Sequence, residues 1–438
     1  MRRTWISIAA AAMLAAVAAG CEEPKAPDQW TPIQVTATAT PLEPDRPGAI
    51  EAGDLVYRGG LVLKSSSALF GGFSGLSVAA DGTRFVAVSD TGVWLSGELA
   101  LDADGRLTGL SNPRIAQMRD ERGEPLQGKR QSDAEDLARL PDGRYAVSFE
   151  QEHRILIYDL DGKGPFAPAV RGPTVAGTEG MHPNEGLESL AALPDGALVG
   201  VAEHAPRGAG SPIWIWPKGA TTGEPIGRAN RPQGYGMSGL ATLPNGDLIS
   251  IERLYLPLIG VRVNVRHLPL AKLRATPPEA DGRVIGALEP PMSLDNFEGV
   301  AAVPRADGAI RIYLIADDNY SSNQRTLLYA FDWTPPAGLA SGAVAAAPVE
   351  PPAAVEAPAA TPTPAPAPVK VEQPKPEPVK PAVAPPAPAA PIVEKPAPKP
   401  KPKPKPKPVV AEPPPPQTPP PAPEPAPAKP RGSAGPPA

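Results

Sequence analysis

One pattern occurs five times along this chain, and its period constrains the fold more than any other feature. Each copy has a short apolar run, an Asp-Gly or Asn-Gly turn and a second apolar run that ends at an acidic residue. The copies span 74–90, 135–150, 188–203, 238–252 and 298–317. Because Asp-Gly and Asn-Gly supply the positive φ angles of tight hairpins, each copy predicts two antiparallel strands.

The copies begin about 50 to 60 residues apart, which is the spacing of propeller blades. Further strand candidates follow the copies, at 155–160, 212–217 and 326–333. We therefore predict an all-β protein, a β-propeller with five blades favoured and a sixth, degenerate blade as the alternative. A solenoid or two stacked sandwiches are the other interpretations. The run at 55–64 precedes the first copy, and we expect it to close the ring by pairing with the last blade, since an unpaired edge invites association.

The first twenty residues have the features of an export signal, with Arg2 and Arg3 followed by an apolar stretch too short to span a membrane. Small residues precede Cys21, the only cysteine. We predict that residues 1–20 are removed and that Cys21 is lipidated, as in a bacterial lipoprotein; a leftover thiol is the alternative. Residues 21–50 are then a lipidated linker and 51–333 the propeller. The predicted location is the cell envelope, facing the periplasm or the exterior.

Residues 334–438 differ in composition, being dominated by Pro, Ala, Lys and Glu with a Lys-Pro alternation at 399–408. Such a segment buries too little apolar surface to fold, so we predict a disordered, extended tail. We expect the tail to reach toward peptidoglycan or an envelope protein, unless it serves only solvation.

Charge separates the same parts. The whole chain carries a net charge of −5. The tail and the signal are basic, so residues 21–333 carry a net charge of about −11. We predict no nucleic-acid partner, because phosphate binding needs a basic surface. An acidic body is instead suited to cations.

Acidic residues recur at matched places of the copies, and matched places of a propeller lie around one face. Glu135, Glu188 and Glu298 open copies, and Asp90, Glu150, Glu203, Glu252 and Asp317 close them. Like charges so close would raise one another's pKa, and a hard cation with oxygen ligands relieves this. We predict a Ca²⁺ site in this ring; strand ends that simply face water are the alternative.

The strings NFEGVAAV at 296–303, LIADDNYSSNQRTLLYAFDW at 314–333, NEGLESLAALPDG and SGLSVAADG resemble the family called esterase-like activity of phytase. The resemblance spans about 65–333 and implies a propeller similar in architecture to calcium-dependent propeller phytases. By matching motif it adds these characteristic positions: Glu135, Glu150, Glu188, Glu203, Arg253, Asn296, Glu298, Asp317, Asp318, Asn319 and Gln324.

The sequence lacks the motifs of several other kinds of active site. No Gly-x-Ser-x-Gly elbow, zinc spacing or phosphate-binding Gly-Lys-Ser/Thr occurs. If the protein is an enzyme, metal-assisted hydrolysis of phytic acid or another organophosphate fits best, with Arg253, Glu188 and Glu298 as the predicted catalytic residues and Arg253 as phosphate clamp. The metal ligands are then Asp90, Glu135, Glu150, Glu188, Glu203, Glu298, Asp317 and Asp318. The alternative is a non-catalytic propeller that binds a ligand or partner, because propellers host both.

Overall fold

The structure is a computed structural model. It describes residues 30–336 except 180, 183, 185, 204–209, 230–233 and 279–281. The predicted signal, Cys21 and the tail beyond residue 336 lie outside the described residues. Within the described part, no helix is long and apolar enough to cross a membrane.

The described residues form twenty-five strands and two short helices, α1 (Gly128–Ser132) and α2 (Leu270–Leu273). The strands that precede the second copy are β1 (Thr31–Pro32), β2 (Val35–Ala39), β3 (Glu51–Ala52), β4 (Leu55–Ser65), β5 (Phe73–Val78), β6 (Arg84–Ser89), β7 (Val93–Leu101) and β8 (Leu107–Gln117). Those of the second and third copies are β9 (Ala134–Arg139), β10 (Tyr145–Phe149), β11 (Arg154–Tyr158), β12 (Val170–Arg171), β13 (Thr174–Val175), β14 (Ser189–Ala192), β15 (Leu198–Val201), β16 (Ser211–Trp216), β17 (Thr222–Gly223) and β18 (Gly227–Ala229). The remainder are β19 (Gly236–Thr242), β20 (Leu248–Leu256), β21 (Gly260–Leu268), β22 (Arg283–Leu288), β23 (Asn296–Pro304), β24 (Ile310–Asp317) and β25 (Thr326–Trp333).

Five sheets form the blades. From the innermost strand outward, their orders are β5-β6-β7-β8-β1, β9-β10-β11-β12, β14-β15-β16-β18, β19-β20-β21-β22 and β23-β24-β25-β4-β2. The innermost strands β5, β9, β14, β19 and β23 contact one another in this cyclic order, and β23 returns to β5. The prediction of an all-β propeller is therefore confirmed, with five blades.

The ring closes through the strand that precedes the first copy, as predicted. β4 pairs antiparallel with β25, with Leu55 opposite Trp333 and Leu63 opposite Thr326. The first and last parts of the propeller thus share one blade, and neither leaves an open inner edge.

Part of the segment predicted as a linker forms strands. β1 pairs with β8 and β2 pairs with β4, so residues 31–39 extend two blades at their outer edges. The reason is local, because β2 has the sequence VTATA, whose β-branched residues favour a strand and cover the edge of β4.

The hairpin turns inside the copies lie at the opposite end of the propeller from the acidic residues. Each turn contains a glycine with positive φ, and these are Gly82, Gly143, Gly196, Gly246 and Gly308. Leu76, Leu137, Leu190, Leu240 and Val300 line a narrow central channel that has a volume of about 130 Å³. Within each copy, the turn therefore returns the chain to the face where the copy begins and ends.

Candidate functional site

Three sets of equivalent residues meet at that face, which we call the carboxylate face. The opening positions of the five copies are Ser74, Glu135, Glu188, Ser238 and Glu298. The closing positions, on or just after each second strand, are Asp90, Glu150, Glu203, Arg253 and Asp317. The preceding positions, two residues before each opening position, are Gly72, Asp133, Gly186, Gly236 and Asn296.

Backbone pairing shows that these sets are equivalent. The N–H groups of Asp90 and Glu150 donate to the carbonyls of Gly72 and Asp133, both at 2.9 Å. In the fourth and fifth blades, Arg253 lies opposite Gly236 and Asp317 opposite Asn296. The closing position of each blade is therefore held beside its preceding position.

A β-bulge occurs where the opening residue lies. The register of the two inner strands shifts between Phe73 and Gly75, between Met237 and Gly239, and between Phe297 and Gly299. The inner pair of the second blade shifts opposite Glu135 and Asp136. A bulge redirects a side chain out of the strand alternation. It therefore explains why Glu298, in the middle of an inner strand, reaches the carboxylate face.

The fourth closing residue is Arg253, and here the sequence analysis was wrong to count Glu252. Copies two and three place their closing acid fifteen residues after the opening one, and the same count from Ser238 reaches Arg253. A slip of one residue in a strand turns the side chain to the other face. Accordingly, Glu252 forms an ion pair with Arg266 within its own blade, 2.7 Å between Oε1 and Nε.

Burial dominates the electrostatics of the ring. It raises the pKa of Asp317 to about 8, with further contributions from Glu298 and Asp90. It raises the pKa of Glu298 to about 7, although Arg253 opposes this shift. Burial likewise raises the pKa values of Asp90 and Glu150, each to about 6. Several of these groups therefore titrate near neutral pH.

The two remaining glutamates are more strongly shifted. Burial raises the pKa of Glu135 well above its ordinary value, and the charges of Asp133 and Glu150 add to the effect. The pKa of Glu188 is raised in the same way, by burial first and then by Glu135 and Glu203. An uncompensated charge is therefore unfavourable at either position, and a proton or a bound cation relieves it.

Asp133, Glu135 and Glu150 form the tightest group, which we call the triad. One oxygen from each carboxylate lies within 4.8 Å of the others, and all three residues are buried. Asp133 is 0% exposed, and its Oδ2 accepts no hydrogen bond from any described residue. The sequence analysis missed Asp133. Its signal was its place two residues before Glu135, where the other copies have glycine or asparagine.

Lys129, in α1, is the cation nearest the triad. Its Nζ lies 2.9 Å from Asp133 Oδ1 and 4.0 Å from Asp90 Oδ2. Burial alone would lower the pKa of Lys129, but contact with Asp133 and the charge of Asp90 raise it overall. The side chain is 58% exposed, so the ammonium group can leave without breaking the fold.

Arg253 is the second cation of the ring. Its Nη2 lies 3.2 Å from Glu203 Oε1 and 3.5 Å from Glu298 Oε1, so it bridges the third and fifth blades. Its Nε is buried and donates no hydrogen bond to a described residue. The predicted clamp therefore lies in the ring, but two carboxylates already neutralise it.

The characteristic residues of the last blade mainly form hydrogen bonds with neighbouring residues. Asn296 donates from Nδ2 to Glu298 Oε1 at 2.7 Å, and the Asn319 N–H donates to Asp317 Oδ1 at 2.6 Å. Asp318 accepts the Gly72 N–H at 3.1 Å and the Thr326 hydroxyl at 2.9 Å. Asp318 thus braces the fifth blade against the first. The Gln324 N–H donates to the Ser321 carbonyl, which places Gln324 in the same loop.

The glycines at the preceding positions make room for carboxylates. A Cβ on Gly186 would lie 2.8 Å from Glu150 Cγ, and a Cβ on Gly236 would lie 2.7 Å from Glu203 Cγ. The closing acid of one blade therefore lies over the preceding position of the next blade. This close approach joins the second blade to the third and the third to the fourth.

Asp136 separates the carboxylate face from the apolar channel. It is fully buried, and its carboxylate accepts the N–H groups of Leu137 and Leu190 at 2.8 Å and of Leu240 at 3.2 Å. The donors belong to three blades, so this side chain ties their inner strands together at the axis. Gly75, Gly239 and Gly299 occupy the equivalent position in other blades, and a Cβ on Gly75 would lie 2.9 Å from Asp136 Cα.

A family model described as Phytase-like, esterase-like activity of phytase, matches residues 68–320. No curated protein matches the chain. Among solved structures, a protein of unknown function from Dyadobacter fermentans is 13% identical with a TM-score of 0.36, covering 71% of this chain and 96% of that one. A gluconolactonase from Xanthomonas campestris is 12% identical with a TM-score of 0.34, covering 70% and 98%. The PQQ-bound aldose sugar dehydrogenase of Streptomyces coelicolor is 12% identical with a TM-score of 0.36, covering 68% and 99%. Because these TM-scores are low, we assign the five-bladed propeller from the strand pairing of this chain alone.

Proposed function

The chain belongs to the phytase-like family, as the motifs around residues 296 and 314 indicate, and we propose that it is a phosphoester hydrolase that requires a bound divalent cation, Ca²⁺. The triad is the observation that carries this proposal. Its three buried carboxylates lie on the face to which all five copies bring their opening and closing residues.

The residues of the triad suit a hard cation. Ca²⁺ takes oxygen ligands at about 2.3 to 2.6 Å, so two of its ligands are at most about 5 Å apart. The spacing within 4.8 Å in the triad agrees with this limit. The unpartnered Oδ2 of Asp133 is a buried acceptor for which an ion would supply the missing partner. Asp90 is a further candidate ligand, because the charge of Asp133 acts on it.

A bound ion of this kind supplies Lewis-acid polarisation of a phosphate ester and acidifies a bound water. The chain supplies the rest. Glu298, with a pKa of about 7, can hold or release a proton at Oε2 near neutral pH, while Asn296 fixes Oε1. Glu188, whose pKa is raised further, holds a proton that a leaving alkoxide can accept. Lys129 and Arg253 offer N–H donors to phosphate oxygens.

The second candidate function is a binding propeller without catalysis. The pairing of Arg253 with Glu203 and Glu298 favours it, because a neutralised arginine is a weaker phosphate clamp. In that case the same face would bind a small ligand through its cation, or an envelope protein. The two functions differ only in turnover.

We further propose that the protein is held at the bacterial cell envelope by a lipid on Cys21 and that its tail reaches toward peptidoglycan or an envelope protein. These proposals are supported by the signal pattern and by the composition of residues 334–438.

The test is a calcium titration followed by thermal unfolding, with phosphatase assays on phytate and on a simple phosphate ester. At a hundredfold excess over the dissociation constant, Ca²⁺ should stabilise the folded protein by about 2.7 kcal/mol. The double variant Asp133→Asn/Glu135→Gln should lose this shift. Asp104→Asn/Glu51→Gln is the matched control, since both residues are exposed and distant from the triad in sequence.

Stabilisation with calcium-dependent turnover would support the hydrolase. Stabilisation without turnover on any phosphate or carboxylate ester would favour the binding propeller. If calcium leaves the melting temperature of the wild-type protein unchanged, the metal site is wrong.

A further inference from the structure

A long hairpin of the fourth blade projects from the carboxylate face. The inner strand β19 begins at Gly236, opposite Arg253, but its neighbours β20 and β21 continue to pair beyond that level. Three more residue pairs follow, Leu254 with Arg262, Tyr255 with Val261 and Leu256 with Gly260. At about 3.3 Å per residue, the hairpin rises about 10 Å above the level of Arg253 before it turns.

The tip of this hairpin is apolar and exposed. No charged residue occurs from 254 to 261, whose sequence is LYLPLIGV. Leu258 is fully exposed, Tyr255 is 63% exposed and Ile259 is 53% exposed. Large apolar side chains in contiguous exposed positions are unusual on a soluble domain and mark an interaction surface.

Leu258 is also unfavourable for its own backbone. Its φ is +71°, in the left-handed region that favours glycine and asparagine and disfavours a leucine. Since the side chain makes no buried contact, the fold gains nothing from it. A role outside the folded chain is therefore the better explanation of a leucine here.

The apolar side chains lie on both faces of the hairpin. Tyr255 and its neighbour Leu256 point to opposite sides because they are consecutive in a strand, and Leu258 and Ile259 form the turn between the strands. A groove on a protein usually accepts one face of a hairpin, whereas a lipid layer surrounds the whole tip. The height of about 10 Å also agrees with the depth to which interfacial segments enter a bilayer.

Polar groups stand at the base of the hairpin, where lipid headgroups would be. Arg262 ends the apolar stretch and is paired with Glu289 at 2.6 Å, and Arg253 lies at the level of the ring. Tyrosine is favoured at membrane interfaces, because its ring is apolar and its hydroxyl is polar. Leu69 and Tyr320 add two exposed apolar side chains to the part of this face between the fifth and first blades.

We propose that the segment Leu254–Val261 inserts into a phospholipid bilayer and turns the carboxylate face toward the membrane. The acidic body would be repelled by anionic lipid, so the apolar tip supplies the attraction. Insertion brings the lipid phosphate groups within about 10 Å of the carboxylate ring. Insertion of this segment does not depend on whether the carboxylate face catalyses hydrolysis.

The test uses the mature protein without its lipid, as the Cys21→Ser variant, and vesicles of phosphatidylcholine alone or with phosphatidylglycerol. Leu258→Asn should lower vesicle binding in flotation by at least about tenfold, since it replaces an inserted leucine by an amide. Asparagine suits the backbone at this position, so the variant should fold at least as stably as its parent. Val170→Asn is the control, because Val170 is also an exposed apolar side chain, 55% exposed, but lies on an outer strand of the second blade.

A direct reading of insertion comes from Leu258→Trp and Val170→Trp. The emission of a tryptophan at 258 should shift to the blue with vesicles and be quenched by brominated lipid, and that at 170 should do neither. Equal binding of the parent and Leu258→Asn, or no spectral shift at 258, would overturn the proposal. Self-association without vesicles that Leu258→Asn abolishes would instead assign the hairpin to a second copy of the chain, which also overturns it.

Discussion

Without a cation, the propeller should become less stable as the pH rises from about 5 to about 6.5. Asp317 and Glu298 carry the expectation, because burial raises their pKa values to about 8 and about 7 from ordinary values of 3.8 and 4.5. A group whose pKa is higher in the folded protein stabilises the fold fully below its unfolded pKa. That contribution is lost as the pH rises through the folded pKa.

The magnitude follows from the protons involved. In this window the unfolded chain has lost both protons, while the folded protein retains that of Asp317 and much of that of Glu298. Each retained proton changes the free energy of unfolding by about 1.4 kcal/mol per pH unit. From these two groups, one to two protons over about 1.5 pH units give a fall of about 2 to 4 kcal/mol, and Glu135 and Glu188, whose pKa values are also raised, add to it.

His153 acts in the opposite direction. Burial lowers its pKa, so its contribution rises with pH below its ordinary value of 6.5. We therefore compare two proteins rather than two pH values alone. Asp317→Asn removes one titrating group and keeps an oxygen for the Asn319 N–H, while His153 is common to both. The difference between their slopes isolates Asp317.

The assay is equilibrium unfolding in urea with a chelator, at several pH values. The slope of Asp317→Asn should be shallower than that of the wild-type protein by up to about 1.4 kcal/mol per pH unit. Saturating calcium should flatten the wild-type slope, because an ion that binds ionised carboxylates replaces their protons. Identical slopes for the two proteins, or wild-type stability that rises with pH, would refute the reasoning.

Three further outcomes are expected. Lys129→Met should tighten calcium binding by about tenfold in titration calorimetry, since it removes a cation 2.9 Å from Asp133. Weaker binding would show that the Lys129 ammonium group does not compete with Ca²⁺ for Asp133. Gly186→Ala should lower both the melting temperature and the calcium affinity, because its Cβ would lie 2.8 Å from Glu150 Cγ, whereas Gly48→Ala meets no atom within 4 Å and serves as control. Cys21→Ser should move the expressed protein from the membrane to the soluble fraction, and retention in the membrane would argue against lipidation.

The period of the repeat was sufficient to predict the blades, because the turn sequences and the strand lengths recur together. The pairing of β4 with the last blade could be predicted for a physical reason, since an unpaired strand at each end would leave two open edges. β1 and β2 could not, because two short strands at the outer edge of a blade have no counterpart in the other copies.

The acidic ring could be predicted in outline and not in detail. The bulges are invisible in the sequence, so the direction of an opening side chain could not be derived from strand alternation. Asp133 was missed because its equivalents are three glycines and an asparagine, none of which is a carboxylate. Glu252 was included because it is acidic, although the count of fifteen residues reaches Arg253.

The five blades are equivalent in backbone but unequal in charge, and this asymmetry favours one place for the proposed cation. The second and third blades contribute Asp133, Glu135, Glu150, Glu188 and Glu203, whereas the first and fourth have serine at their opening positions. Arg253 neutralises the side of the ring that faces the fifth blade, and Lys129 reaches the triad from an exposed helix. A cation would therefore be attracted away from the axis, toward the second blade, where Asp133, Glu135 and Glu150 are buried together. If the proposed ion is bound there, an anionic ligand would have its most favourable approach between the ion and Arg253, so the uneven distribution of charge over five equivalent positions would orient the ligand as well as the metal.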